Sequence, residues 1–434
     1  MAIRRSTLAA LAVPLAIALA VSGCRSQESA APQTGKDGIE VDFGVTNEPC
    51  SQAIDTNKGC IYLGVISDLT EGPFKTLGVP ITDAQAAFWR RVNQQGGIGG
   101  YEVDATTYVK DNKYNPQVHN QVYQEIKPKI LALAQTLGSP QTAGILPDLK
   151  ASNLVAAPAS WTSLWAFEDV VVESGANYCV EAMNSVDYAA DKLGAKSIMA
   201  VHLAGDYGDD AAAGARAAAE KRGLTFTDVK TATGQDNQAG AIDAIVSGNP
   251  DVVILTNGPT DAAVIIGQAS ARGFKGKFIG TNPTWNPGLL KGPAAAAITS
   301  QYLRSSPLQP YGAQTPGHEA MRAALGDVPQ PNEGHVAGWM FSYPLKAALQ
   351  KAVENKDLTR AGLLAAVKSL TSVDYEGMLP EGAGNYSGTP NEIVFRQSEI
   401  HKPDQSAPSG VSELEPFFTG PTAKDFTFEK PCYQ

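Results

Sequence analysis

Ile130-Leu-Ala-Leu-Ala-Gln135, followed closely by Leu137-Gly138-Ser139-Pro140-Gln141-Thr142, is the stretch from which the rest of the chain can be read. The apolar run has the length of a buried strand, and residues 142–152 have the composition of a helix. Pro140 suits the first helical position, where its missing N–H leaves nothing unsatisfied. Ser139 then stands where an N-cap would, its hydroxyl and the free N–H groups facing the space beyond the strand. Such a spot attracts an anion or a carbonyl. In open α/β sheets ligands also bind beyond the carboxyl ends of the strands. Taken alone, the motif reads first as a capped helix that binds nothing, and the remainder of the chain has to decide.

Outward from this stretch, short β-rich runs alternate with helical ones. Upstream, 61–66 is a strand, 83–94 a helix with apolar residues at helical spacing, 101–109 a strand and 115–125 a helix. Downstream, 154–157 is a short strand stopped by Pro158. The alternation starts again after Cys179: helices at 184–193, 206–222, 238–246 and 260–272 interleave with strands at 197–202, 224–229, 251–256 and 277–281. Alternation over this distance argues for parallel sheets covered on both faces. Two successive runs, in a chain longer than one core usually holds, argue for two lobes. After Tyr302 the pattern is mainly helical, at 319–325, 335–354 and 359–370, and the tail from Asp374 offers one strand candidate at 392–396.

The N-terminus carries Arg4 and Arg5, an Ala/Leu-rich core from Leu8 to Val21, then Ser22, Gly23 and Cys24. These are the parts of a secretory signal, and the core is too short for an ordinary transmembrane helix. Val21-Ser22-Gly23-Cys24 resembles a lipobox, with Val where Leu is usual, so residues 1–23 read as a signal peptide and Cys24 as the lipid-bearing residue. Residues 24–60 read as the tether, its stretch from Arg25 to Thr46 a polar leash. Loss of Arg4 and Arg5 takes the formal charge from −10 to −12, which disfavours nucleic acid or anionic lipid as a partner. Cys50, Cys60, Cys179 and Cys432 remain, and an even count in an exported chain reads as two disulfides with three possible connectivities. Cys50 and Cys60 are close and flank a polar loop, which favours pairing them and leaves Cys179 with Cys432. None of the spacings is a zinc pattern. No G-x-S-x-G, H-E-x-x-H or phosphate-cradling motif is present and the five histidines are scattered, so neither an enzyme nor a bound cofactor or metal is expected.

In order along residues 61–396, several fragments resemble the periplasmic branched-chain amino-acid-binding proteins, the type I solute-binding components of ABC importers. They are Ile66-Ser-Asp-Leu-Thr-Glu-Gly-Pro73, Val92-Asn-Gln-Gln-Gly-Gly-Ile98, Leu137-Gly-Ser139 and Ala156-Ala-Pro-Ala-Ser160. Gly205-Asp-Tyr-Gly208, Ala269-Ser-Ala-Arg-Gly-Phe274 and Phe278-Ile-Gly280 continue the series. The resemblance implies two doubly wound parallel-sheet α/β lobes joined by a three-segment hinge near Asn177, Tyr302 and Val373. Residues 61–178 with 303–372 would form one lobe, and 179–302 with 373–434 the other. It further implies a monomeric, lipid-anchored extracytoplasmic receptor, held to the membrane only by its lipid, that closes on a small-molecule ligand and delivers it to ABC permease and ATPase subunits. A sensor of the same fold is the alternative.

The resemblance places the ligand carboxylate on Ser139 and on the segment Pro158-Ala159-Ser160-Trp161, with Tyr207 at the tip of the second lobe. Four positions depart from the family. Its tyrosine after the second lobe's third strand falls in Asn257-Gly258-Pro259. Its aromatic residue near the Gly-Pro turn falls on Leu77, and its anchoring threonine falls on Trp161. Its acidic partner for the ligand ammonium falls on Asn282, which supplies no counter-charge. A desolvated cation without one costs several kcal/mol, so an α-amino acid is disfavoured unless another acid such as Asp206 or Asp261 reaches in. Trp161, Trp165 and Trp285 lie on segments expected to border the cleft and together suggest a flat or apolar ligand body. Ser139 with Gln141 suggests a carboxylate or amide head. Asp68 and Glu71 read as solvated carboxylates at its rim.

Overall fold

Gly59–Ser67 is almost continuously apolar, and Ile61, Leu63, Val65 and Ile66 are all buried, as a strand covered on both faces requires. In the computed structural model, which describes residues 32–433, it is an inner strand of a five-stranded sheet. Tyr101–Asp111 lies parallel on one side, and Ala132–Leu137 followed by Ala156–Ala159 on the other. Val45–Thr46 adds a short antiparallel strand. The expected signal segment and Cys24 lie outside the described residues.

The second sheet has seven strands, in the order Val411–Phe418, Ser398–Pro403, Tyr302–Ser306, Lys277–Gly280, Val252–Thr256, Ser197–Leu203, Thr225–Thr231. The last five are mutually parallel, and the first two form an antiparallel edge. Two parallel sheets with helices packed on them make the α/β, two-lobed architecture expected from the strand–helix alternation. Helix Glu333–Glu354 covers the first sheet although it follows most of the second in sequence. It packs on helix Lys75–Gln94, with Phe88 between Trp339 and Tyr343 at ring distances of 5.1 and 4.9 Å. The two helices approach so closely that a Cβ on Gly338 would sit 2.1 Å from the Ile81 carbonyl oxygen.

The structure departs from the sequence reading in three places. Helix Lys75–Gln94 starts well before residue 83 and contains Pro80. Proline cannot donate to the carbonyl four residues back, and here Asn332 Nδ2 donates to the Thr76 carbonyl instead, at 3.3 Å. Residues 392–396 are not a strand: Pro390–Ile393 is helical behind a Thr389 capping box, and the tail's strands come later. Part of the leash is built into the body. Gln33–Thr34 pairs with Glu40–Val41, which on its other side pairs with Asp357–Leu358, and Ile39 and Val41 are buried.

Both expected disulfides form, Cys50–Cys60 and Cys179–Cys432. The first closes a ten-residue loop whose Ile54 and Asp55 amides donate to the Glu102 carboxylate at 2.9 and 2.8 Å. Replacing Cys50 and Cys60 together by serine is expected to lower stability by about 2–3 kcal/mol. A shifted urea midpoint at constant slope is the readout. Among the described residues no helix is long and apolar enough to cross a membrane.

Candidate functional site

The carboxyl ends of strands in both sheets converge on a cavity that opens to solvent and holds about 510 Å³ of unfilled space. Helix Ser139–Ala151 presents its N-terminus there. The cap position belongs to Gly138 rather than to Ser139, one residue earlier than expected. Gly138 adopts φ +101°, a backbone conformation open to glycine, and its carbonyl accepts from the Thr142 amide at 2.9 Å. Ser139 is therefore the first helical residue, and its hydroxyl is released from capping. Its side chain is 1 % exposed, and Oγ has no hydrogen-bond partner among the described residues. A buried hydroxyl left unpaired costs about 1–3 kcal/mol, so this group is in place for something the protein does not itself supply.

Of the other expected residues, Leu77, Ala159, Ser160, Trp161, Tyr207 and Asn282 all line the cavity. Trp161 donates its indole N–H to the Ser174 carbonyl at 2.8 Å and packs on Phe341. Ser160 Oγ accepts from Trp165 Nε1 at 3.3 Å. Tyr207 shares a 3.0 Å hydrogen bond with Thr281 Oγ1, and burial pushes its phenol well above the ordinary value. Its ring meets Tyr178 at 4.6 Å and Phe74 at 6.0 Å, so the cavity is bridged by aromatic contacts from both sides.

Three expected residues stand elsewhere, among them Trp165, which lines a separate space behind Ser160. Gln141 lies behind the wall: its Nε2 donates to the Tyr114 carbonyl at 2.8 Å and braces that loop. Trp285 is in the core of the second sheet, stacked on Tyr302 at 5.7 Å and donating to the Ser409 carbonyl. Of the two expected rim carboxylates, Glu71 is solvated as expected and Asp68 is not. Asp68 is fully buried and accepts from the Gly72 and Phe74 amides, both at 2.9 Å, which fixes the turn that presents Phe74. Glu71 is exposed and pairs with Lys113. Sequence reasoning missed Phe74, Ile81, Tyr114, Tyr178 and Glu333, which also line the cavity. The Gly72-Pro73 turn is the signal that could have drawn attention to Phe74.

At the end opposite Ser139, Asn282 is held by the protein. Its amide N–H donates to Glu181 Oε1 at 2.8 Å, and its Oδ1 accepts from Arg304 Nη2 and from Ser306 Oγ. Arg304 is fully buried; Nη1 donates to His401 Nδ1 at 3.1 Å and lies 3.8 Å from Glu333 Oε2. His401 in turn reaches Glu399 at 2.7 Å. Burial raises the Glu181 and Glu399 carboxyls to about 8, and raises Glu333 against the pull of Arg304. Burial, reinforced by Arg304, holds His401 well below its usual value, so it is neutral. The carboxyl beside the cavity is thus Glu333, which faces an internal guanidinium at 3.8 Å without a hydrogen bond to it. Asp261 instead accepts from the Gly234 amide and does not line the cavity. Among the described residues no group of three or more His, Cys, Asp or Glu is arranged to hold a metal ion.

Residues 60–395 match the family model described as periplasmic binding protein. Among solved structures, the chain is 29 % identical to a fatty acid ABC transporter substrate-binding protein from Thermomonospora curvata, with a TM-score of 0.82 over 91 % of this chain and 98 % of that one. A branched-chain amino acid ABC transporter protein from Thermus thermophilus with bound valine is 17 % identical, with a TM-score of 0.74 over 85 % of this chain and 98 % of that one. A leucine-binding protein from Thermotoga maritima is also 17 % identical, at a TM-score of 0.69 over 83 % and 99 %; likenesses at this identity speak to the fold. No curated protein matches the chain in sequence. With a family model covering most of its length and two parallel sheets converging on one cavity, the chain belongs to the periplasmic binding protein family.

Proposed function

We propose that the chain is the substrate-binding component of an ABC importer and that it captures a carboxylate with an apolar body. The observation that carries this is the Ser139 hydroxyl, buried and unpartnered at a helix N-terminus in a cavity otherwise walled by Phe74, Leu77, Ile81, Trp161, Tyr178 and Tyr207. A carboxylate supplies the missing hydrogen-bond partner and is favoured by the helix dipole, while aliphatic and aromatic walls take the body. The relative from Thermomonospora curvata, described as a fatty acid substrate-binding protein, supports the same class of ligand. An α-ammonium group is poorly served, because Glu333 faces the Arg304 guanidinium and the Asn282 carbonyl is occupied.

Ligand contacts to both lobes favour the closed arrangement, and closure creates the surface a permease recognises. The lobes hinge where the chain passes between the sheets, and lipid on Cys24 keeps the monomer near its transporter. The test is calorimetry with octanoate, phenylacetate and leucine, after mass spectrometry of whatever copurifies. The carboxylates are expected to bind at least about tenfold tighter than leucine, whose ammonium must be desolvated without a counter-charge. Tighter binding of leucine overturns the ligand assignment.

A further inference from the structure

A second cavity, open to solvent and holding about 400 Å³ of unfilled space, lies between segments 165–175 and 384–395. Both segments are stretches where the chain travels between the two sheets: the first follows strand Ala156–Ala159, and the second precedes Ser398–Pro403. Trp165, Tyr386 and Phe395 contribute aromatic rings to its lining and Glu173 a carboxyl group. Glu173 Oε1 is buried without a hydrogen-bond partner, while the residue as a whole keeps partial exposure. Its backbone is well fixed, since its carbonyl accepts from Tyr386 Oη at 2.6 Å. No ion pair among the described residues involves Glu173. The charge felt most nearby is another carboxyl, Asp210, itself committed to the Ser163 and Cys179 amides at 3.0 and 3.2 Å.

Burying a carboxyl with neither cation nor donor is costly, and here burial and Asp210 both push the Glu173 carboxyl well above its usual range. An aromatic-walled space beside a carboxyl that a bound cation would draw into its ionised form is the chemistry that recognises organic cations. We propose that this cavity is a second binding site, for an organic ammonium ion held by Glu173 and the rings of Trp165, Tyr386 and Phe395. The site does not depend on what the Ser139 cavity takes. It does adjoin that cavity, because the Trp165 ring lines one space while its N–H bonds Ser160 of the other.

Calorimetric titration with tetramethylammonium chloride, against sodium chloride at equal ionic strength, tests the proposal. Saturable binding to the ammonium salt alone is expected, weakened about tenfold or more by Glu173→Gln and by a smaller factor in Phe395→Leu. Ser139→Ala should leave it unchanged, which separates this site from the carboxylate cleft. In crystals soaked with (2-bromoethyl)trimethylammonium, the bromine anomalous peak should lie between Trp165 and Phe395. That readout on the native chain still decides should Glu173→Gln fail to fold. Absence of saturation, equal affinity in Glu173→Gln, or a bromine peak in the Ser139 cavity overturns it.

Discussion

Ser139→Asp is expected to abolish carboxylate binding while leaving the fold intact. The substituted carboxylate would face the ligand's own at roughly 4 Å. At an effective dielectric near 20 such a pair repels by about 4 kcal/mol, which is about a thousandfold in affinity. For folding, the helix dipole favours an acid in the first turn by about 0.3–1 kcal/mol, which offsets part of the cost of a carboxylate at a site that is 1 % exposed. Ser139→Ala, which removes only a hydrogen bond to a charged group, should cost about 1.5–3 kcal/mol of binding. Calorimetry with octanoate and thermal unfolding of the same samples separate the two effects. If Ser139→Asp binds octanoate as the native chain does, the carboxylate is anchored elsewhere.

Arg304→Met should destabilise the folded chain by about 3–5 kcal/mol, the usual result of leaving buried charge uncompensated. Arg304 is the cation in a buried group that includes Glu181, Glu333 and Glu399, and it also satisfies Asn282 Oδ1 and His401 Nδ1. Methionine fills much of the volume but leaves those acceptors and the Glu333 carboxylate unmatched. Adding Glu333→Gln should recover part of the loss, giving a coupling of about 1–3 kcal/mol in a double-mutant cycle of urea midpoints. Additive effects of the two substitutions would show that Arg304 and Glu333 do not compensate each other.

The parts of the molecule legible in its sequence are those determined locally. Inner strands such as Gly59–Ser67 and Val252–Thr256 are apolar on both faces and stand out as continuous runs. Ser139 is visible because Gly-Ser-Pro after such a run marks a helix start, and only the cap was displaced, by the conformational freedom of Gly138. Features that depend on distant partners were not legible. Pro80 reads as a helix break until Asn332, some 250 residues later, takes over the hydrogen bond that proline cannot make. The edge strands Ser398–Pro403 and Val411–Phe418 carry His401, Lys402, Glu413 and Glu415 and lack an apolar run. The site divides in the same way. Ser139, the Ala159–Trp161 segment and Tyr207 sit at helix starts or strand ends that can be located. Glu333 enters the cavity, and Trp285 is kept out of it, by how remote segments return.

Helix Glu333–Glu354 and the tail strands also bear on the order in which the molecule can be assembled. A chain made from its N-terminus has the strands of its first sheet by Ala159, yet the helix that covers them is not made until most of the second sheet exists. The second sheet in turn waits for Val411–Phe418, and Cys179 waits for Cys432 across 253 residues. Pairings over such distances fold slowly, because long loops must be closed before any contact repays them. Neither half has its full set of strands and covering helices until the later part of the chain is made. A chain with this order of parts is expected to complete both lobes together instead of one after the other.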